Sequence, residues 1–181
     1  PEPRLKLDNV HRFRVTTVAI SPDNSYLLTG DREGRIVIWD AQTGKVVGSP
    51  RALHNGEVVM SQFLGDGSRL LTAGVDRRIV LWKVVKTGQQ FAFEKISQFD
   101  QEGMVVNVAV SPREDRFLSV IRLSDKLTKK ANGQGPSTRV SLWTIATGKE
   151  RVIDVATRDA ATRNEGDSDR DRDPFVAWAA N

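Results

Sequence analysis

His11 and His54 are the only histidines in the chain, and imidazole is the side chain best suited to proton transfer or metal ligation near neutral pH. Neither has the company such chemistry needs. Cysteine is absent, so there is no Cys/His zinc set, no thiol nucleophile and no disulfide. Asp167, Asp169, Asp171 and Asp173 alternate like calcium-loop ligands, but such a loop asks for glycine at its sixth position and glutamate at its twelfth. Counted from Asp167, those places hold Arg172 and Trp178, and arginines interrupt the acids. The run reads as a solvated charge cluster. Lys126, Lys129 and Lys130 have the charge to hold an acidic partner or a phosphate, in a loop rich in breakers. Gly30 and Gly34 bracket a hairpin rather than a phosphate cradle, since no helix follows them. Neither a serine nucleophile elbow nor a defined carboxylate pair occurs. The reading is therefore of no catalytic residue, no metal ligand and no cofactor, and of a chain that is not an enzyme.

The elements that would position these side chains are strands. Val15 to Lys45 opens with apolar alternation at Val18 and Ile20, the mark of a half-buried strand. Ser21-Pro22-Asp23-Asn24 supplies turn chemistry. Tyr26 to Thr29 and Arg35 to Trp39 are further strands, joined by a glycine hairpin, and Thr43-Gly44 closes the unit. Copies follow. RIVIW ending at Trp39 recurs as RIVLW ending at Trp82 and RVSLW ending at Trp143, with Thr43-Gly44, Thr87-Gly88 and Thr147-Gly148 behind them. VTTVAISP matches VVNVAVSP at Val105 to Pro112, and VVMSQFLGDG at Val58 to Gly67 is a looser copy. Strand-only units repeating at roughly 40–45 residues are the mark of a propeller array.

On these residues the chain resembles the WD-repeat β-propeller family over nearly its whole length. The resemblance implies an all-β fold with blades of four antiparallel strands, the outermost strand following each Trp-Asp. It also implies a buried hydrogen-bonded set of His, Ser/Thr, Asp and Trp in each blade. On this sequence the set falls on His11, Thr29, Glu33 and Trp39, then on His54, Thr72, Asp76 and Trp82. In the third copy Gln101 stands in the His place, Ser119 is retained, and the Asp place is displaced by an insertion over 121–139. The repeats span about 11–53, 54–100 and 101–156, with the start of a further one at 169–181. Three blades and a beginning read as an incomplete ring, either a portion of a longer propeller or one closed between copies.

Outer strands are expected at Val46-Val47, bounded by Pro50, at Phe91 to Ile96, and at Arg151 to Val155. The 121–139 insertion and the long polar connection 157–173 emerge on the same face in the family's topology, one basic and one acidic, so they can pair.

With 39% apolar and 28% charged residues the chain is of globular rather than disordered type. Net charge is +4, with bases scattered among acids, which disfavours nucleic acid as a partner. No apolar run reaches the ~20 residues of a membrane span. There is no secretory pattern, and the lack of cysteine suits a reducing compartment, so the chain reads as intracellular and cytoplasmic. The expected role is a protein–protein interaction scaffold that displays loops on a propeller face. Its partner would be a protein or peptide, and the candidate contact residues are Lys126, Lys129, Lys130, Arg170 and Arg172. The alternative is a regulatory or sensor module of a larger enzyme whose catalytic residues lie outside this chain.

Overall fold

The computed structural model describes residues 7, 10–88, 90–124 and 138–153. All regular elements among them are strands, in three four-stranded sheets whose consecutive strands are neighbours. The first sheet holds β1 (Val15–Ile20), β2 (Tyr26–Asp31), β3 (Arg35–Asp40) and β4 (Arg51–Ala52). The second holds β5 (Val58–Leu64), β6 (Arg69–Gly74), β7 (Arg78–Thr87) and β8 (Gln90–Asp100). The third holds β9 (Met104–Val110), β10 (Arg116–Arg122), β11 (Thr138–Thr144) and β12 (Lys149–Ile153). The chain divides into two compact units, Pro1–Val105 and Val106–Asn181, with the boundary inside β9.

In the first unit the two complete sheets bury their facing sides in one apolar cluster. Leu28, Ile36, Ile38 and Val47 of the first meet Val58, Phe63, Leu70 and Phe91 of the second. Full burial of one such side chain is worth about 1.5–3 kcal/mol, so this layer dominates the unit's cohesion. Polar bonds fix its register: Thr16 Oγ1 donates to the Val58 carbonyl at 2.7 Å, and Thr17 Oγ1 lies 3.0 Å from Ser61 Oγ. The outward side of β1 is uncovered among the described residues, with Val18 64% and Ile20 57% exposed.

One strand expectation needs correction, and one hairpin is longer than the repeat suggests. In the first sheet Val46 makes only an isolated bridge to Trp39, and outer-strand pairing resumes beyond Pro50, at Arg35↔Ala52 and Ile36↔Arg51. Gly48, at φ +73°, turns the chain away, and Pro50 has no N–H to give the ladder. In the second sheet Thr87-Gly88 also lies at the turn before the outer strand, with Gly88 at φ +60°, but the hairpin is longer. Gly44 and Gly148 close tight turns onto the carbonyls of Asp40 and Thr144, each at 2.9 Å. There β7 instead runs on to Thr87 and returns as β8 with Thr87↔Gln90 paired. The extra length is apolar on one side: Val84, Phe91 and Phe93 extend the core cluster. Phe91 packs edge-on against Tyr26 at 5.0 Å, and Lys86 lies over the Tyr26 ring at 4.5 Å and meets its hydroxyl.

In the second unit Phe117 stacks on Trp143, with ring centroids 6.0 Å apart, and their neighbours across the ladder are Ser119 and Ser141. Ser141 is 1% exposed, and its Oγ has no hydrogen-bond partner among the described residues. The equivalent ladder positions in the other sheets hold valine, Val37 opposite Thr29 and Val80 opposite Thr72. A buried hydroxyl without a partner costs about 1–3 kcal/mol. Ser141→Val is therefore expected to raise thermal stability, by about 1 kcal/mol after allowing for repacking. A lower melting temperature would mean that the hydroxyl is satisfied or that the added methyl does not fit.

Candidate functional site

The histidines sit where chain segments enter a sheet. His11 precedes β1 and reaches the end of β2, where its Nε2 lies 2.6 Å from Thr29 Oγ1 and its Nδ1 2.8 Å from Asp31 Oδ2. Trp39 Nε1 donates to the same Thr29 hydroxyl at 2.8 Å. His54, before β5, repeats this: Nε2 to Thr72 Oγ1 is 2.8 Å, Nδ1 to Asp76 Oδ1 is 3.0 Å, and Trp82 Nε1 donates to Thr72 at 2.8 Å. An indole N–H only donates and a carboxylate only accepts, so each threonine accepts from Trp and Nδ1–H donates to the acid, with Nε2 bonded to the threonine hydroxyl.

Asp31, not Glu33, is the carboxylate of the first set. Glu33 is exposed in the β2–β3 turn, and its backbone N–H donates to Asp31 Oδ1 at 2.9 Å. The physical reason lies two residues after the hydroxyl. Thr29 and Asp31 share one side of β2, so Asp31 reaches His11 directly. In the second sheet that position is Gly74, and a Cβ there would stand 2.5 Å from His54 Nδ1 and 2.7 Å from Asp76 Oδ1. Glycine leaves room for Asp76, two residues further on, to reach back. Strand alternation from Thr29 is the signal that would have found Asp31.

Each acid also holds its turn. Asp31 Oδ1 accepts from the N–H of Arg35 at 3.0 Å as well as from Glu33. Asp76 accepts from the N–H groups of Asn55 and Arg78 at 3.0 and 3.3 Å. Burial pushes the Asp76 carboxyl up, but the bonds from His54, Asn55 and Arg78 outweigh it and hold the group below the usual 3.8. Elsewhere Asp40 is held low by the Thr43 hydroxyl and N–H, and Asp23 by Ser21 and Ser25.

In the third sheet Trp143 Nε1 donates to Ser119 Oγ at 3.0 Å. Gln101, in the first unit, is buried and donates to the Phe99 carbonyl at 3.3 Å. Lys126, Lys129, Lys130, Arg170 and Arg172 lie outside the described residues, as do Asp167, Asp169, Asp171, Asp173 and Trp178. Among the described residues no group of three or more His, Cys, Asp or Glu is placed to hold a metal ion.

Four-stranded antiparallel meanders, repeated along the chain and each fastened by a Trp–hydroxyl bond, define a β-propeller type of repeat protein. Comparison with known proteins agrees with this class. Residues 4–40 match the family model "WD domain, G-beta repeat", and the sheets have the fold of propeller blades. It is similar to an uncharacterized WD repeat-containing protein of Schizosaccharomyces pombe, 31% identical over 44% of this chain and 13% of that one. Protein HIR1 of Eremothecium gossypii is 29% identical over 66% of this chain and 15% of its own length. The chain thus spans only a small part of these relatives. In fold it is similar to the β-propeller domain of Myceliophteria thermophila Cps50 (Swd1), with TM-score 0.60, 17% identity, and coverage of 77% of this chain and 40% of that one. It is likewise similar to the RRP9 WD40 repeats, with TM-score 0.58, 16% identity, and coverage of 78% and 38%.

Two tests follow from this geometry. Asp31→Ala is expected to destabilise the fold by about 2–4 kcal/mol, because it leaves the His11 ring and two turn N–H groups without an acceptor, whereas Glu33→Ala changes stability by less than about 0.5 kcal/mol. Equal effects on chemical denaturation would remove the assignment. For Asp76, a carboxyl whose folded pKa is depressed adds stability above its unfolded pKa and loses it as pH falls through the folded value. Between about pH 5 and about pH 3 the melting temperature is expected to fall more steeply for the native chain than for Asp76→Asn. Parallel curves would show that Asp76 is not held low.

Proposed function

We propose that this chain is part of a protein–protein interaction scaffold, a non-catalytic platform whose turns are displayed on a rigid propeller frame. The observation that carries this reading is that both histidines are spent on structure. Each ring has both nitrogens bonded, one to a carboxylate and one to a threonine already bonded to tryptophan, which leaves neither imidazole free to move a substrate proton. WD40 propellers generally serve as interaction platforms, and the relatives found are WD-repeat proteins. The exposed apolar side of β1 supports a further blade, from the same longer chain or another copy, as one neighbour. Lys126, Lys129, Lys130, Arg170 and Arg172 are proposed as partner contacts on their sequence alone, and the placement in a cytoplasmic compartment rests only on the lack of cysteine. No helix among the described residues is long and apolar enough to cross a membrane.

The second reading is a regulatory module of a larger enzyme, and the chain spans only a small share of its relatives' length. The test is affinity capture on the longer protein that contains this chain, followed by light scattering of the purified complex. A partner held at fixed stoichiometry, and lost when 11–153 is deleted, is expected. Retention of every partner after that deletion would overturn the scaffold reading, and loss of a catalytic rate instead would establish the second.

A further inference from the structure

The segment that joins the first sheet to the second contains the pair Asn55-Gly56. The backbone on either side of it is held. His54 N–H donates to the Gly34 carbonyl at 3.2 Å, Asn55 N–H to Asp76 Oδ2 at 3.0 Å, and Val75 N–H to the Glu57 carbonyl at 2.9 Å. The reactive groups between these bonds are not held. Asn55 is exposed, and among the described residues neither its carboxamide nor the Gly56 N–H makes a hydrogen bond. Gly56 carries no Cβ to shield its nitrogen, and at φ +122° it takes a backbone conformation that other residues rarely adopt.

An asparagine followed by such a nitrogen has a cyclisation open to it. Hydroxide takes the Gly56 N–H proton, the nitrogen attacks Asn55 Cγ, and the carboxamide nitrogen leaves as ammonia with a proton from water. Water then opens the cyclic imide. Cleavage at the former side-chain carbonyl leaves aspartate, and cleavage at the main-chain carbonyl leaves isoaspartate. Similar pairs nearby are blocked. Behind Asn24, the Ser25 N–H donates to Asp23 Oδ1 at 3.0 Å. At Asp66-Gly67 the Gly67 N–H donates to the Leu64 carbonyl at 3.1 Å. The Ser68 hydroxyl and N–H also hold the Asp66 carboxyl below the usual range, and a carboxylate resists attack.

We infer that Asn55-Gly56 is a site of spontaneous deamidation, and that its isoaspartyl product loosens the junction between the first and second sheets. The inference is independent of the scaffold reading. Isoaspartate adds a methylene to the main chain between position 55 and Gly56, where there is little room for it. A Cβ on Gly56 would already stand 2.9 Å from Val75 Cγ2, and one on Gly34 would stand 2.8 Å from the Gly56 carbonyl oxygen. The bonds from Asn55 to Asp76 and from Val75 to Glu57 fit the native chain length, so a longer link cannot keep both. Aspartate keeps that length and adds only charge.

The experiment ages the full 181-residue chain in warm, mildly alkaline buffer, beside Asn55→Gln and a guanidinium-unfolded sample. Peptide mapping by mass spectrometry locates the change, and an isoaspartyl methyltransferase with S-adenosylmethionine counts isoaspartate. Mapping also separates any product at Asn132-Gly133, which lies outside the described residues. Conversion at position 55 in the folded chain is expected to run about tenfold or more ahead of that at Asn24. The unfolding midpoint of the aged chain is expected to fall with its isoaspartate at position 55, while that of Asn55→Gln holds. Should Asn55→Gln unfold early, the aspartyl and isoaspartyl forms of the aged chain, separated by ion exchange and assigned by mapping, give the same comparison. Conversion confined to the unfolded sample would overturn the site, because the fold would then keep the nitrogen from the carboxamide. Conversion in the folded chain with equal midpoints for the native and isoaspartyl forms would overturn the loosening.

Discussion

The bond on which the first unit depends runs from an indole through a hydroxyl and an imidazole to a carboxylate. A sheet of four short strands has little reason to hold its entry segment in place, because that segment is not part of the ladder. The relay does this from inside. Trp39 lies on β3, Thr29 on β2, Asp31 at the end of β2 and His11 outside the sheet, so one chain of hydrogen bonds crosses two strands and captures the incoming backbone. Its cost structure explains its completeness. A buried imidazole with one unpaired nitrogen is expensive, so the arrangement is stable only when all four groups are present.

The two relays of this unit reach the same bonding pattern by different covalent routes. In the first the acid lies two residues after the threonine, on the same side of the strand. In the second it lies four residues after, in the turn, and needs a side-chain-free residue between. This is why the strand pattern was legible from the sequence while the first acid was not. Period-two alternation and the Trp-terminated strands are local and survive in every copy. Which of Asp31 and Glu33 faces the imidazole is decided by where β2 ends, and Glu33 stands at the same distance from Thr29 as Asp76 from Thr72. The same limit explains Thr87-Gly88, whose resemblance to the other Thr-Gly pairs concealed a hairpin lengthened by its apolar contact with Tyr26.

Pro50 shows the converse. It was legible as a residue excluded from a ladder interior, yet it does not terminate the outer strand of the first blade. It separates a single bridge at Val46 from a two-residue pairing at Arg51–Ala52. A local rule states where a hydrogen bond cannot form. Whether the chain returns to the sheet afterwards depends on what waits there, in this case the free edge of β3 and the Gly34 carbonyl that accepts the N–H groups of Leu53 and His54.

That return couples the buried relay to the surface. Asp31 binds His11 with one oxygen and, with the other, the backbone N–H groups of Glu33 and Arg35. The carboxylate that completes the relay is thus also the clamp on the turn that carries Arg32 and Arg35. Gly34 lies at φ +83° inside that turn, and a Cβ there would run into the His54 carbonyl, so the turn is also pressed against the start of the next blade. The histidines therefore act on the surface without reaching it: the relay they complete holds the backbone of the exposed β2–β3 turn, and the start of the next blade is pressed against it.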